Sequence, residues 1–427
     1  MNKNNKKDVT FYYERAIDKD DLGDLEGAIE DFTKAIEIDS MADNCYYGRA
    51  YDKEELGDLQ GAIKDYTSAI EINPYHVDSY LNRGVSKNNL GDYKGAIEDY
   101  TKVIEIDPNY ANAYLNRGIA KDALNDYTGA IKDYRKAISK NPSNPYYFYK
   151  MASLKVFLED HSGAIQDCDK ALKIDPKYEE VLYLRGVTKY SIKNYKGAVE
   201  DYTKLIAINP KSENVFKNRG IAKDELGDYK GAIEDYTSAI EINPEDHLNF
   251  FFRGNAKYKL NNYEDALEDL TKTIELNPES SLALYDRAGI KTILEDYAGA
   301  IEDCTSAIEI NPAFANTYFK RGNLSSDLED YSSAIEDFSK VIVIDPNYQN
   351  IYFYRGNAKY NLDDNEGAIR DYEIAIEKNP VNSSAYFNLG SCKENLGDFK
   401  GAIKEWRKAA ELGDKDAKKI IQKYEKE

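Results

Sequence analysis

The chain has 427 residues, of which 57 are basic and 77 acidic, so its formal net charge is −20. A chain this acidic repels phosphate backbones, which argues against binding of nucleic acid. The 4 cysteines and 3 histidines are widely scattered, so we expect no zinc site and no disulfide framework. No stretch approaches the ~20 apolar residues that a membrane span needs, and the N-terminus does not read as a signal peptide. We therefore expect a cytoplasmic protein without metal or cofactor.

A fixed period dominates the sequence. Ten of the 11 prolines are spaced 34 residues apart, from Pro74 to Pro380. This period divides residues 9–416 into twelve repeats without any insertion, so one continuous array is expected rather than several globular domains. The repeats are 9–42, 43–76, 77–110, 111–144, 145–178, 179–212, 213–246, 247–280, 281–314, 315–348, 349–382 and 383–416.

Each repeat predicts two helices, when its positions are numbered 1 to 34 from residue 9 onward. Position 16 is always Asp or Asn, which is typical of a helix N-cap, and position 32 is usually Pro, which ends a helix. Apolar residues recur with helical spacing between these two points. The pattern predicts helix A over positions ~2–14 and helix B over positions ~17–31. Small residues at positions 8 and 20, and the glycines at position 19, are expected to allow close approach of helices.

The two ends of the chain differ from the repeats. Residues 1–8 are basic and polar, and we expect them to form a disordered tail. In residues 417–427, Ala417, Ile420, Ile421 and Tyr424 share one helix face opposite lysines. This segment is predicted to be a cap helix, because an open stack of repeats must cover its last core face.

These features together resemble the tetratricopeptide repeat family. A small residue at position 8, Tyr at 17 and 24, Ala at 20 and 27 and Pro at 32 all occur in residues 114–142. The resemblance implies an all-α fold, a right-handed superhelical α-solenoid of helix–turn–helix repeats with a C-terminal cap helix. It also implies that positions 2, 5, 6, 9, 12 and 13 of helix A line an inner, concave groove, where extended peptides or partner helices bind.

The composition of these groove positions divides the array. The first four repeats carry seven acidic residues there and no basic one. The acidic groove residues are Glu14, Asp20, Asp21, Glu54, Glu55, Asp78 and Asp122. Later repeats carry aromatic and Asn side chains, which suit apolar side chains and a peptide backbone. The candidate partner-binding residues are Phe251, Asn255, Tyr258, Tyr285, Phe319, Asn323, Phe353, Asn357, Tyr360 and Phe387. The alternative is that the aromatic residues at position 5 pack against the next repeat.

Other recurring residues favour structural roles. Position 7 is Arg in ten repeats and position 23 is Asp in eleven, which indicates a ladder of Arg–Asp pairs rather than a basic binding surface. Cys168 and Cys304 occupy position 24, where other repeats mostly have Tyr, so both are expected to be buried. The fifth repeat diverges most, with Met151, His161 and Cys168 at positions 7, 17 and 24.

The sequence thus predicts a protein–protein interaction scaffold without catalytic activity of its own. Acidic residues recur at fixed positions, whereas an acid/base pair needs one special environment. The partner would be a protein or peptide, with neither nucleic acid nor membrane involved. Two alternatives stay open: self-assembly through the exposed ends of the array, and a regulatory subunit of an enzyme supplied in trans.

Overall fold

The computed structural model describes the backbone of residues 3–424 and the side chains of residues 8–424. Over this range the chain forms α-helices and no β-strand, which confirms the all-α fold. The helices follow one another as antiparallel hairpins, and the chain divides into two units, one ending at Pro210 and one beginning at Lys211. Each unit is an α-solenoid, in which every hairpin packs on its neighbours in the sequence.

The helix bounds reproduce the predicted pairs. The first unit contains α1 (Lys3–Asp21), α2 (Leu25–Ile38), α3 (Asp43–Glu55), α4 (Leu59–Ile72), α5 (Val77–Asn89), α6 (Tyr93–Ile106), α7 (Ala111–Ala123), α8 (Tyr127–Lys140), α9 (Pro145–Phe157), α10 (His161–Ile174), α11 (Glu179–Ser191) and α12 (Tyr195–Ile208). The second unit contains α13 (Glu213–Glu225), α14 (Tyr229–Ile242), α15 (His247–Lys259), α16 (Tyr263–Leu276), α17 (Ser281–Ile293), α18 (Tyr297–Ile310), α19 (Ala315–Asp327), α20 (Tyr331–Ile344), α21 (Ile351–Asn361), α22 (Asn365–Lys378), α23 (Ser383–Asn395), α24 (Phe399–Glu411) and α25 (Lys415–Tyr424).

Both ends of the chain differ in detail from the expectation. Helix α1 begins at Lys3, because the sequence up to Asp8 contains neither Pro nor Gly to stop a helix. Part of the segment expected as a disordered tail is thus helical, while residues 1–2 lie outside the described residues. At the other end, α25 buries Ala417, and the ring of Tyr424 lies 5.7 Å from that of Trp406. Residues 425–427 of the expected cap also lie outside the described part of the chain.

The Asp and Asn residues at position 16 are N-caps, as predicted, and all of them except Asn262 accept a backbone hydrogen bond through the side chain. Asp92, for example, accepts a hydrogen bond from the backbone N–H of Gly95 at 3.0 Å. The predicted role of the glycines at position 19 is wrong, since they do not mark a close approach of two helices. A Cβ at Gly95 would lie 2.2 Å from the carboxylate of Asp92 itself, so this glycine makes room for the capping side chain.

The small residues at positions 8 and 20 do lie at close contacts. A Cβ added to Gly220 on α13 would lie 2.7 Å from the ring of Tyr236 on α14. Where position 24 holds the smaller Cys304, position 8 is Ala288, and both are fully buried in one cluster. The fifth repeat shows the same exchange, with Ala152 and Cys168 at these positions, in keeping with close packing of the core.

Enlarging an alanine at position 20 should destabilise the stack. Ala232 is fully buried beside Tyr236 and Ala256, so Ala232→Leu is expected to lower the free energy of unfolding by about 1–3 kcal/mol. The matched control is Ala298→Leu, because Ala298 is exposed on a helix B of the same unit. Equal thermal denaturation curves for the two variants would show that position 20 tolerates bulk.

The predicted Arg–Asp ladder is present and more extensive than expected. All ten arginines at position 7 pair with the Asp at position 23 of their own repeat, at 2.5–2.8 Å. Two further groups take part that the sequence analysis did not identify. The Lys at position 11 binds the same carboxylate, as Lys121 binds Asp133 at 2.7 Å. The Arg also reaches the preceding repeat, as Arg117 donates to Thr101 Oγ1 at 3.1 Å.

The fifth repeat interrupts this ladder. Its position 7 is the apolar Met151, and Asp167 binds Lys155 and Lys170 instead. The hydrogen bond between Arg117 and Thr101 has no equivalent between α8 and α9, because the same positions there hold Met151 and Arg135.

We therefore expect weaker local stability in residues 145–178. Because the stability of a repeat array is close to a sum of repeat and neighbour terms, the missing hydrogen bond should affect this repeat most. Native-state hydrogen exchange should show lower protection there than in the third repeat, residues 77–110, whose ladder is complete. Equal protection in the two repeats would contradict this expectation.

Candidate protein-interaction site

The aromatic residues at position 5 contribute to packing. Phe319 lies between three rings, with centroids 6.0 Å from Phe338, 5.1 Å from Tyr348 and 5.0 Å from Tyr354. Phe251, Phe353 and Phe387 are likewise partly buried against core clusters. The alternative that these rings pack within the array therefore holds, and only their remaining exposed faces are accessible to a partner. Among the other candidate rings, Tyr360 is partly buried and Tyr258 is 42% exposed.

The three asparagines at position 9 differ in what they bind. Asn255 donates to the carboxylate of Asp286 at 3.3 Å. Asn357 accepts hydrogen bonds from Tyr372 at 2.8 Å and from Asn388 at 2.9 Å. Asn323 is partly exposed and has no hydrogen-bond partner among the described residues. Of the three, Asn323 is the one whose amide is available to a peptide backbone.

Lys320, which was not among the predicted site residues, lies beside Tyr285. Lys320 Nζ is 3.7 Å from the centre of the Tyr285 ring and donates to the Tyr285 carbonyl oxygen at 2.9 Å. Gly289 leaves space for it, since a Cβ there would lie 2.9 Å from Nζ. Burial lowers the pKa of Lys320 and raises the pKa of the neighbouring Asp286. Among repeats 8–11, rings and amides therefore lie beside a partly buried lysine and a partly buried aspartate.

The acidic candidates of the first unit fall into two groups. Glu14, Asp21 and Glu55 are exposed to solvent. Asp20 and Glu54 are partly buried, and Glu54 accepts a hydrogen bond from Tyr66 at 2.9 Å. Burial raises the pKa of Glu54, as it does for Asp122 further along the same surface. This surface is therefore strongly acidic, and the carboxyl groups of Asp20 and Glu54 on it are partly buried.

Asp52 belongs to the same acidic region and was missed by the sequence analysis. It lies at position 10, which is Ala, Leu, Ile, Ser, Thr or Cys in most repeats, and its side chain is 1% exposed. Burial and the adjacent charge of Asp20 raise the pKa of Asp52 from the usual 3.8 to about 7. The signal in the sequence is a charged residue at a position that is otherwise mostly apolar or small.

Sequence models of the repeat match nearly the whole array. One described as "TPR repeat" matches residues 87–121, and others described as "Tetratricopeptide repeat" match the remaining segments. These segments are 9–40, 44–76, 111–144, 145–178, 179–212, 214–246, 253–313, 315–348 and 353–417. The chain belongs to the tetratricopeptide repeat family. Comparison with curated proteins gives no match.

Several solved tetratricopeptide repeat structures are similar to this chain. YrrB, titled "a TPR protein with an unusual peptide-binding site", is 23% identical, covers 44% of this chain and 97% of its own, and has a TM-score of 0.41. A tetratricopeptide repeat protein from Parabacteroides merdae is 21% identical over 57% of this chain and 97% of its own, with a TM-score of 0.42. Yeast Tom70 is 16% identical over 97% of this chain and 94% of its own, with a TM-score of 0.39.

The tetratricopeptide array holds its cysteines in its interior. Cys45, Cys168, Cys304 and Cys392 are all buried, which confirms the expectation for Cys168 and Cys304. Burial raises the pKa of Cys168 to about 12 and that of Cys304 to about 11, so these thiols stay protonated at neutral pH. In the part of the chain that the structure describes, no group of three or more potential ligands is suited to a metal ion, and no helix is long and apolar enough to cross a membrane.

Proposed function

We propose that this tetratricopeptide repeat protein is a non-catalytic scaffold that holds peptide segments of partner proteins on the inner surface of its A helices. The observation that carries the proposal is the division of charge over equivalent positions. The first four repeats have a net charge of −7 at the groove positions, whereas the eighth to eleventh repeats balance two acidic with two basic residues there. One chain thus offers an acidic and a neutral, aromatic surface.

The two surfaces favour different segments. Repeats 1–4 should bind a basic segment, and salt should weaken that binding, because exposed charges are screened within ~8–10 Å at physiological ionic strength. Repeats 8–11 should bind an apolar-rich segment through the exposed faces of Phe319 and Phe353 and through Tyr258. The free amide of Asn323 can both donate to and accept from the backbone of such a segment.

A partner must first be found by affinity capture with the full-length chain and mass spectrometry. Asn323→Ala is then the cleanest variant for the neutral surface, because its side chain has no hydrogen bond within the array to lose. We expect it to weaken binding by about tenfold, the effect of roughly 1.4 kcal/mol. Isothermal titration calorimetry gives the dissociation constant, and Glu302→Ala on the exposed side of helix α18 is the matched control.

The acidic surface has its own test. Asp21→Lys with Glu55→Lys reverses two fully exposed charges and should weaken binding of a basic segment most at low salt. If neither this pair nor Asn323→Ala changes affinity while Glu302→Ala does, the partner binds the outer surface formed by the B helices and the proposal is wrong.

A further inference from the structure

Two acidic residues meet between the first two repeats. They are Asp20 on α1 and Asp52 on α3, and they are called the Asp52 cluster below. The Asp52 side chain is 1% exposed, and neither of its carboxyl oxygens has a hydrogen-bond donor among the described residues. A buried carboxyl without donors costs free energy that the fold does not recover within the chain.

No basic side chain of the array neutralises this cluster. The neighbouring Lys53 is bound to Asp65 at 2.7 Å, and Arg49 binds the same Asp65. Asp20 from α1 faces Asp52, whereas the nearby Glu54 faces Tyr66 on α4 and Ser86 on α5. Among the side chains of residues 8–424, the cluster therefore has no cation as a partner.

We propose that the Asp52 cluster binds the guanidinium or ammonium group of an arginine or lysine side chain in a basic partner segment. Asp20 is partly exposed and would contact the cation, while the buried Asp52 beside it supplies further negative charge. A guanidinium has five donors in a fixed plane, which suits several carboxyl oxygens at once. The inference rests on the proposed function, because it specifies which residues of the acidic surface anchor the segment.

Binding at this cluster should release a proton. Burial and the charge of Asp20 raise the pKa of Asp52 to about 7, so part of the protein carries a proton there at neutral pH. A cation that binds close by favours the ionised carboxyl, and the proton leaves to the buffer. Affinity should therefore rise with pH, by up to tenfold for each pH unit below the pKa of Asp52.

The experiment uses the full-length chain and a short arginine-rich peptide with blocked termini. Titration calorimetry in two buffers of different ionisation enthalpy, at about pH 6 and about pH 8, gives both the affinity and the number of protons released. Asp52→Asn keeps the shape of the side chain but removes its charge. The matched control is Asp18→Asn, since Asp18 holds position 10 of the first repeat and is exposed. Asp20→Asn tests the same pair should Asp52→Asn fail to fold.

We expect the wild type and Asp18→Asn to release a proton near neutral pH and to bind more tightly at the higher pH. Asp52→Asn or Asp20→Asn should abolish that release and weaken binding about tenfold at the higher pH. Equal affinity and equal proton release in wild type and Asp52→Asn would overturn this inference alone, provided that Asp21→Lys with Glu55→Lys still weakens binding. Failure of the wild type to bind the peptide would overturn both the inference and the acidic surface proposed above. Spermidine bound with the same proton release would overturn the assignment to a protein side chain.

Discussion

Replacing Asp133 by alanine is expected to lower the free energy of unfolding of the first unit by about 3–5 kcal/mol. Asp133 is 2% exposed and accepts hydrogen bonds from Arg117 Nε at 2.9 Å and Arg117 Nη2 at 2.8 Å. It also binds Lys121 at 2.7 Å. Asp133→Ala leaves Arg117 and Lys121 partly buried and without a counter-charge. The cost in stability of these unpaired charges exceeds the net attraction that the intact ion pairs contribute.

The chain contains a matched control for this prediction. Lys102 and Glu105 form an ion pair at 2.7 Å, with side chains 56% and 57% exposed. Glu105→Ala removes the same kind of charge and should change stability by less than about 1 kcal/mol, because water screens the pair. Denaturant unfolding monitored by circular dichroism compares the two variants. A loss for Asp133→Ala no greater than that for Glu105→Ala would show that the ladder does not stabilise the array.

The repeat period made the backbone predictable. Proline spacing and the Asp or Asn at position 16 located the helix ends, since caps and breakers act on adjacent residues in the sequence. Ten arginines at position 7 and eleven aspartates at position 23 were enough to predict the ladder. The lysines at position 11 were missed, because sequence spacing does not tell which of several carboxylates a long side chain reaches.

The candidate site was less predictable than the helices. The charge of each side chain could be read from the sequence, but its exposure could not, because exposure depends on which neighbouring rings of the fold the side chain contacts. Phe319 therefore turned out to be packed among three rings, while Asn323 is free of partners. Asp52 was missed for a different reason: Asp occurs at position 10 in only the first two repeats, so an analysis of recurring positions gave it no weight.

Replacing Asp52 should have the second large effect on stability, and unlike Asp133→Ala it should stabilise the protein. Asp52→Ala should raise the free energy of unfolding around the first two repeats by about 2–4 kcal/mol at about pH 8. At about pH 8 the carboxyl is mostly ionised and neither of its oxygens accepts a hydrogen bond, so the variant loses none. Alanine fits this position, as Ala120 occupies it in the fourth repeat and is fully buried there.

The stability gained by Asp52→Ala relative to the wild type should increase with pH. In the unfolded chain the Asp52 carboxyl titrates near its ordinary pKa of 3.8, whereas in the folded chain its pKa is raised to about 7. The folded state therefore holds the proton more tightly, and the wild type loses stability as pH rises from about 4 to about 7. Asp52→Ala lacks this loss, so its advantage should be small at about pH 4 and level off above about pH 8. Hydrogen exchange of α1–α4 at about pH 4 and about pH 8 measures the difference in local stability between Asp52→Ala and the wild type. If that difference is absent or does not change with pH, Asp52 is not a destabilising buried acid.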